Sequence, residues 1–554
     1  MAALGFDPLG IGDLALAGGT FEFTGSDGPE RIGFDVTVSA GYGRAAVIKA
    51  DSPLTIGRIG VSSGCLVKRG AGDLVLDPGS GTFTLSWDEG KTDGRAWGPT
   101  NRVEFSNDGG SPSDGFGGFS IAEGSLVLKG SRDTVFNIPN TTMIGLRTTE
   151  IAVQPRLVVD GACANVALSR KMNIGALLQD GDGVSAPALV VTNGAKLAVG
   201  TFVAGRNAEK ASAPVISVDG SVFECASLYA GYHPNCQPSY LLANGAELYA
   251  GEVLCYGPSW FSVTNAVFAK NNARECTPVE IHTWGGEWFF GEGGVFCCDQ
   301  IKAININTPE KNLVLSFDGG LWAMGEGVKV ANAERVTVRT SGAGGLTIPV
   351  PEGQTVRMAH PVYGSGSVVK TGEGTLRFET AETWSDDLTE ASKMPMSTTF
   401  AFDGVCDVRA GSLEIANGAL KDGACIKAAV GASVDFGGAV VSATISGGGA
   451  FGNAVCSPLT IQTAIDGEGT AATLPVLDGS SIIGTVRIDL GRDAHDPLDM
   501  NRTYVVARYT GSVPDVGSWR VKNTGLSGVG GVFAASNGEI RLRLEPKGLI
   551  ININ

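Results

Sequence analysis

Residues 281–299 read IHTWGGEWFFGEGGVFCCD, and Trp260 and Phe261 lie a short way upstream. His282, Trp284, Glu287, Trp288, Phe289 and Phe290 are crowded into this short run. Aromatic rings exposed on a strand face make platforms for the apolar faces of sugars, and a neighbouring carboxylate can hold sugar hydroxyls. On this reading Trp260, His282, Trp284, Glu287 and Trp288 are the candidate ligand-binding residues, with carbohydrate as the ligand class. The competing reading is that these rings fill an interior or cover an edge of the fold, with His282 incidental, because aromatics are packing residues first.

Catalysis on carbohydrate would need more. A glycosidase sets two carboxylates about 5 to 9.5 Å apart across one cleft. Glu287, Glu292, Asp299 and the pair Asp88 and Glu89 are available, but no basic partner or repeated context marks any of them. Histidine supplies only His233, His282, His360 and His495 as general bases, and no G-x-S-x-G nucleophile elbow is present. Asp180 and Asp182 in QDGDGVS have calcium-loop spacing but lack the later carboxylate of an EF-hand, so the stretch reads as a simple turn. Six of the eleven cysteines fall between 225 and 298 without a Cys-x-x-Cys pair, so they read as small buried hydrophobes rather than zinc ligands. No catalytic residue, cofactor or metal site is assigned.

The elements that would position these residues are repetitive. LVVTNGAKLAVGTFVAGRN (189–207), ISVDGSVFECASLYAGYHP (216–234), YLLANGAELYAGEVLCYGP (240–258) and FSVTNAVFAKNN (261–272) align. Each opens with a short apolar strand that ends at a turn residue: Asn193, Asp219, Asn244 and Asn265, at intervals of 26, 25 and 21. Glycine follows the first three, as Gly194, Gly220 and Gly245. Short alternating strands with Asn-Gly or Asp-Gly turns are also what hairpin meanders look like, and alternation alone does not separate the two. A fixed period in the twenties favours the coil of a parallel β-helix, in which strands stack on their equivalents one turn later. Val190, Leu197 and Phe202 are expected to point inward.

A second repeat concerns two glycine-rich stretches. LVKRGAGDLVL (66–76) aligns with VVKTGEGTLRF (368–378), and each has a companion further on, EGSLVLKG at 123 and AGSLEIAN at 410. No Gly-Lys-Ser/Thr and no helical pattern follows, so neither is a phosphate-binding loop; the glycines turn a corner between strands. The G-x-G-x-x-G formed by Gly447, Gly449 and Gly452 fails the same test. The pattern V-K-x-G-x-G-x-L-x-F, followed by x-G-S-L-x-I, resembles the passenger-associated repeats of bacterial autotransporters and related surface proteins. The resemblance implies a right-handed β-helical passenger displayed outside the cell, with a role in adhesion, aggregation or surface coating.

Composition agrees with an all-β chain. Its 554 residues include 81 glycines and only 18% charged residues, unlike a disordered chain. The net charge of −16 without a basic stripe argues against nucleic acid and anionic membranes as partners, and no apolar run is long enough for a transmembrane helix. The first basic residue is Arg31, so no export signal is read in this chain.

The expected fold is thus an all-β right-handed parallel β-helix over 1–469, clearest over 188–272, with a loop excursion at about 86–120. A β-rich C-terminal cap is expected over 470–554, because an open last coil is a sticky strand edge. The expected function is structural or adhesive, outside the cell or on its surface. The partners would be host or environmental glycans or other cell-surface molecules. The alternative is a carbohydrate-binding or carbohydrate-active β-helix using the patch at 260–299.

Overall fold

Which side chains point inward follows from strand pairing. The computed structural model describes residues 14–25, 30–32, 36–39, 45–57, 59–63, 65–77, 82–84, 118–131, 134–138, 142–145, 154–161, 165–175, 186–205, 212–282, 284–304, 311–395, 398–464, 473–491, 498–522, 524 and 528–546. Of the expected loop at 86–120, residues 86–117 lie outside these, and Gly118–Ile121 is a strand. Asp180 and Asp182 also lie outside them. The fold is an all-β parallel β-helix in which most strands pair in parallel with their equivalents one coil later. Two compact units form, Met1–Cys297 with Lys302–Val314, and Cys298–Ile301 with Leu315–Asn554. Among the described residues no helix is long and apolar enough to cross a membrane.

In the first unit one sheet climbs through Ala188–Thr192, Val215–Asp219, Ser239–Ala243, Ser259–Val263 and Gly286–Phe290. Its register stacks Leu189, Ile216, Tyr240, Phe261 and Trp288 in one inward column, all buried. The column widens as it climbs, and its rings meet: Tyr240 and Phe261 stack at 4.2 Å between centroids, and Phe261 and Trp288 approach to 4.5 Å with planes tilted by 50°. Such pairs add roughly 0.5–1.5 kcal/mol each beyond the area they bury. Leu197 and Phe202 are buried as expected. Val190 is not inward: Leu189 and Val191 are buried and Val190 lies on the outer face between them. Strand side chains alternate, so an error of one residue in phase reverses the face.

The turn residues behave as their chemistry dictates. Asn193, Asn244 and Asn265 take left-handed backbone angles, with φ of 59°, 56° and 45°. Asparagine tolerates that region better than other non-glycine residues, and its amide also links coils here. Asn193 Nδ2 donates to Asp160 Oδ1 at 2.5 Å and Asn244 Nδ2 to Asp219 Oδ1 at 2.6 Å.

The two lysine motifs are corners, one in each unit. Gly70 and Gly372 have φ of 82° and 76°. A Cβ on Gly70 would lie 2.4 Å from the Ala50 carbonyl oxygen, so only glycine permits the coils to approach there. Both lysines are buried. Lys68 Nζ donates to the carbonyls of Arg69 and Gly70, each at 2.7 Å, and of Glu123 at 3.2 Å. Lys370 Nζ donates to the carbonyls of Thr371, Gly372 and Ala410. Each lysine therefore ties its own corner to the companion segment of the next coil. Burial pulls the Lys68 ammonium down to about 8.

Near the C-terminus the pairing changes. Val476–Asp478 and Ile482–Gly491 still pair in parallel with Ala450–Ala464, and in turn with Thr503–Thr510 and Arg520–Lys522 respectively. Glu539–Pro546 then pairs antiparallel with both Thr503–Thr510 and Val529–Ser536. The change of pairing falls later in the chain than the change of composition near 470.

Candidate functional site

The candidate residues of 260–299 separate into three environments, because strand parity and coil corners send neighbours in sequence to different places. Trp260 and Glu287 come together. They are register partners on adjacent parallel strands, and both point outward. The same outer face carries Leu241, 45% exposed, and Phe289, 36% exposed, each in register with the small Ser262. Strand spacing puts Leu241 and Phe289 diagonally across from Trp260, about 8 Å away. Neither Trp260 nor Phe289 has a ring partner among the described residues; Phe289 is exposed and Trp260 is half-buried. The arrangement is a shallow apolar platform, dipped at Ser262 and bordered by the Glu287 carboxylate.

Trp288 does not belong to it. It is 0% exposed, packed on Phe261, Phe268 and Phe296, and its indole N–H donates to Ser259 Oγ at 3.1 Å. Its position one residue after Glu287 puts it on the inner face, where a ligand does not reach, and it leaves the candidate set.

His282 and Trp284 lie outside the strand that carries Glu287. Trp284 is half-buried, with Lys311 Nζ 4.5 Å from its ring centroid. His282 stacks on Tyr256, centroids 4.3 Å apart and planes 11° from parallel. Its Nε2 is 3.3 Å from Glu280 Oε2, and Lys302 approaches the other oxygen of that carboxylate at 3.9 Å. Tyr256 in turn contacts Tyr232 and Tyr229, at 5.5 and 6.1 Å between centroids. Tyr232, Tyr256 and His282 occupy one corner position of successive coils, each N–H bonded to a carbonyl of the coil before. Burial, reinforced by Tyr232, Glu280 and Glu252, raises the Tyr256 hydroxyl above its ordinary value.

This half-exposed ladder was missed from sequence, though its signal was present: Tyr232, Tyr256 and His282 follow at 24 and 26 residues, one coil each. Its chemistry differs from that of the platform. The rings spend their faces on one another, leaving edges, hydroxyls and an imidazole toward solvent. Such a strip suits hydrogen bonding, not stacking. A glycine holds the equivalent corner one coil earlier, at Gly205 with φ of 75°, where a Cβ would lie 2.0 Å from Cys236 Sγ. The ladder therefore starts at the corner that follows the glycine corners Gly145, Gly175 and Gly205.

No family model matches this chain, and no curated protein matches it in sequence.

Proposed function

We propose that this protein is a bacterial, autotransporter-like β-helical protein of structural or adhesive character, secreted or displayed at the cell surface. In this reading the outer face around Trp260 takes up carbohydrate. The observation that carries it is the pairing of Trp260 with Glu287 on an outward strand face beside the exposed Leu241 and Phe289. An apolar platform with one acceptor at its rim matches the alternation of C–H faces and hydroxyls on a neutral sugar. A monomeric protein rarely leaves a contiguous apolar patch exposed without a use for it. The repeated lysine corner, which resembles passenger repeats, supports the surface location.

The test is a glycan array with the wild-type chain and with Trp260→Ala, Phe289→Ala and Trp284→Ala. Binding that disappears in the first two variants and survives in the third supports the platform. Binding unchanged by all three places recognition elsewhere, and absence of binding leaves the structural role without a glycan ligand.

A further inference from the structure

In the second unit the chain leaves its coil as a hairpin. Glu382–Trp384 and Ala391–Lys393 pair antiparallel, with Trp384 opposite Ala391. Asp387 closes the tip, accepting from Thr389 N at 3.2 Å and Thr389 Oγ1 at 2.8 Å. The hairpin is fastened to the helix at several points. Glu382 N donates to the Ala359 carbonyl at 2.8 Å, Ala333 N to Thr383 Oγ1 at 3.1 Å, and Asn332 Nδ2 to Asp386 Oδ1 at 3.2 Å. The hairpin therefore stands as a fixed wall.

Between this wall and the outer faces of Gly327–Ala331 and Thr355–Met358 lies a cleft of about 620 Å³, within the range that holds a small ligand. Glu326, Lys329, Gln354, Thr355, Arg357 and Trp384 line it. Its floor is bare at Gly327, where φ is 137° and a Cβ would lie 2.4 Å from the Arg357 carbonyl oxygen. The two cations differ in what holds them. Arg357 is committed to Glu379 and Glu382. Lys329 Nζ sits 4.9 Å from the Trp384 ring centroid and makes no ion pair among the described residues. A cation over an indole without a carboxylate partner is conspicuous in a chain of net charge −16.

We propose that this cleft binds an acidic saccharide, a pyranose carrying a single carboxylate. The carboxylate pairs with Lys329, an apolar sugar face lies along Trp384, and the hydroxyls meet Gln354, Thr355 and Glu326. One unpaired ammonium matches one negative charge. A phosphate dianion would bring two charges to this single unpaired ammonium, and the guanidinium of Arg357 is already taken by two carboxylates. The site is independent of the Trp260 platform, which has a carboxylate at its rim and suits neutral sugars.

Isothermal titration of the full chain with trigalacturonate, with sialyllactose, and with the methyl ester of each acid tests the assignment. At least one acid is expected to bind, its ester at least about tenfold more weakly. Lys329→Met keeps the alkyl stem on the indole and removes the charge; it should weaken binding of the acid at least about tenfold without moving the thermal midpoint. Trp260→Ala should leave this binding unchanged, which separates its failure from that of the platform. No binding of either acid at millimolar concentration, equal affinity for acid and ester, or undiminished binding by Lys329→Met would overturn the proposal.

Discussion

Lys370 Nζ donates to the carbonyl oxygen of Ala410 at 2.7 Å, forty residues away, and Lys68 repeats the contact with Glu123 at 3.2 Å. Both ammoniums are enclosed by carbonyls, and the Glu123 carboxylate accepts from Gly70 N at 3.0 Å beside the first. The lysine of the motif is thus a coil-to-coil strut. Lys370→Met keeps the volume and removes the donors, leaving carbonyls of the tight corner without partners. A buried unsatisfied acceptor costs roughly 1–3 kcal/mol, set against the relief of no longer burying a charge. A net loss of about 2 kcal/mol is expected in a denaturant titration. A variant as stable as the wild type would show that the corner holds without its strut.

Trp260 and Trp288 lie on opposite faces of one sheet and should answer the same substitution differently. Trp288→Ala removes a fully buried ring from a stacked column and is expected to cost about 3–5 kcal/mol. Trp260→Ala, on the outer face, should cost less than about 1 kcal/mol. Denaturant midpoints of the two variants compare them directly, and equal costs would contradict the inward and outward assignment.

The coil period was legible because turn residues are chemically conspicuous: Asn193, Asn244 and Asn265 hold left-handed angles that few other residues accept. The lysine corners were legible for the same reason, through Gly70 and Gly372. Facing was harder to read. Val190 sits in an apolar run where neighbours on both faces are apolar, so alternation carries no phase, while Trp288 lies between Glu287 and Phe289, which share the outer face although one is charged and the other apolar. Clustering in sequence also misled. His282 and Trp288 are six positions apart, but one turns a corner and the other enters the core. The Trp384 cleft joins residues from different coils and becomes visible only once the register is known, whereas the Tyr232–Tyr256–His282 ladder repeats at the coil period and was open to reading.

His360 should make the second unit acid-sensitive. It is buried, and its Nε2 hydrogen bonds to the Val336 carbonyl at 3.1 Å while Nδ1 has no partner among the described residues. Burial pulls its pKa from 6.5 down to about 4. Between these values the unfolded chain binds a proton that the folded chain refuses, so stability falls as pH drops from 6.5 to 4. The loss amounts to about 3 kcal/mol once pH reaches 4. In His360→Gln this component should vanish. The check is the difference between the pH profiles of variant and wild type, and parallel profiles over pH 4–6.5 would refute it.

The buried thiols predict the opposite trend at high pH. Burial pushes Cys236 and Cys255 up to about 12, Cys297 and Cys456 up to about 11, and Cys225 and Cys406 higher still. An unfolded thiol ionises near 8.5. Above that pH the unfolded chain sheds protons that the folded chain keeps, so stability is present at neutral pH and is lost as pH rises. Each thiol contributes roughly 1.4 kcal/mol of loss by pH 9.5. Under reducing conditions, Cys406→Ala should lower stability at pH 7.5 but flatten the decline between pH 7.5 and 9.5 by about that amount. Denaturant titrations at the two pH values measure both effects. An unchanged decline would mean that Cys406 ionises alike in the folded and unfolded chains, and its burial at an inward position in register with Val368 and Ile426 would then be wrong.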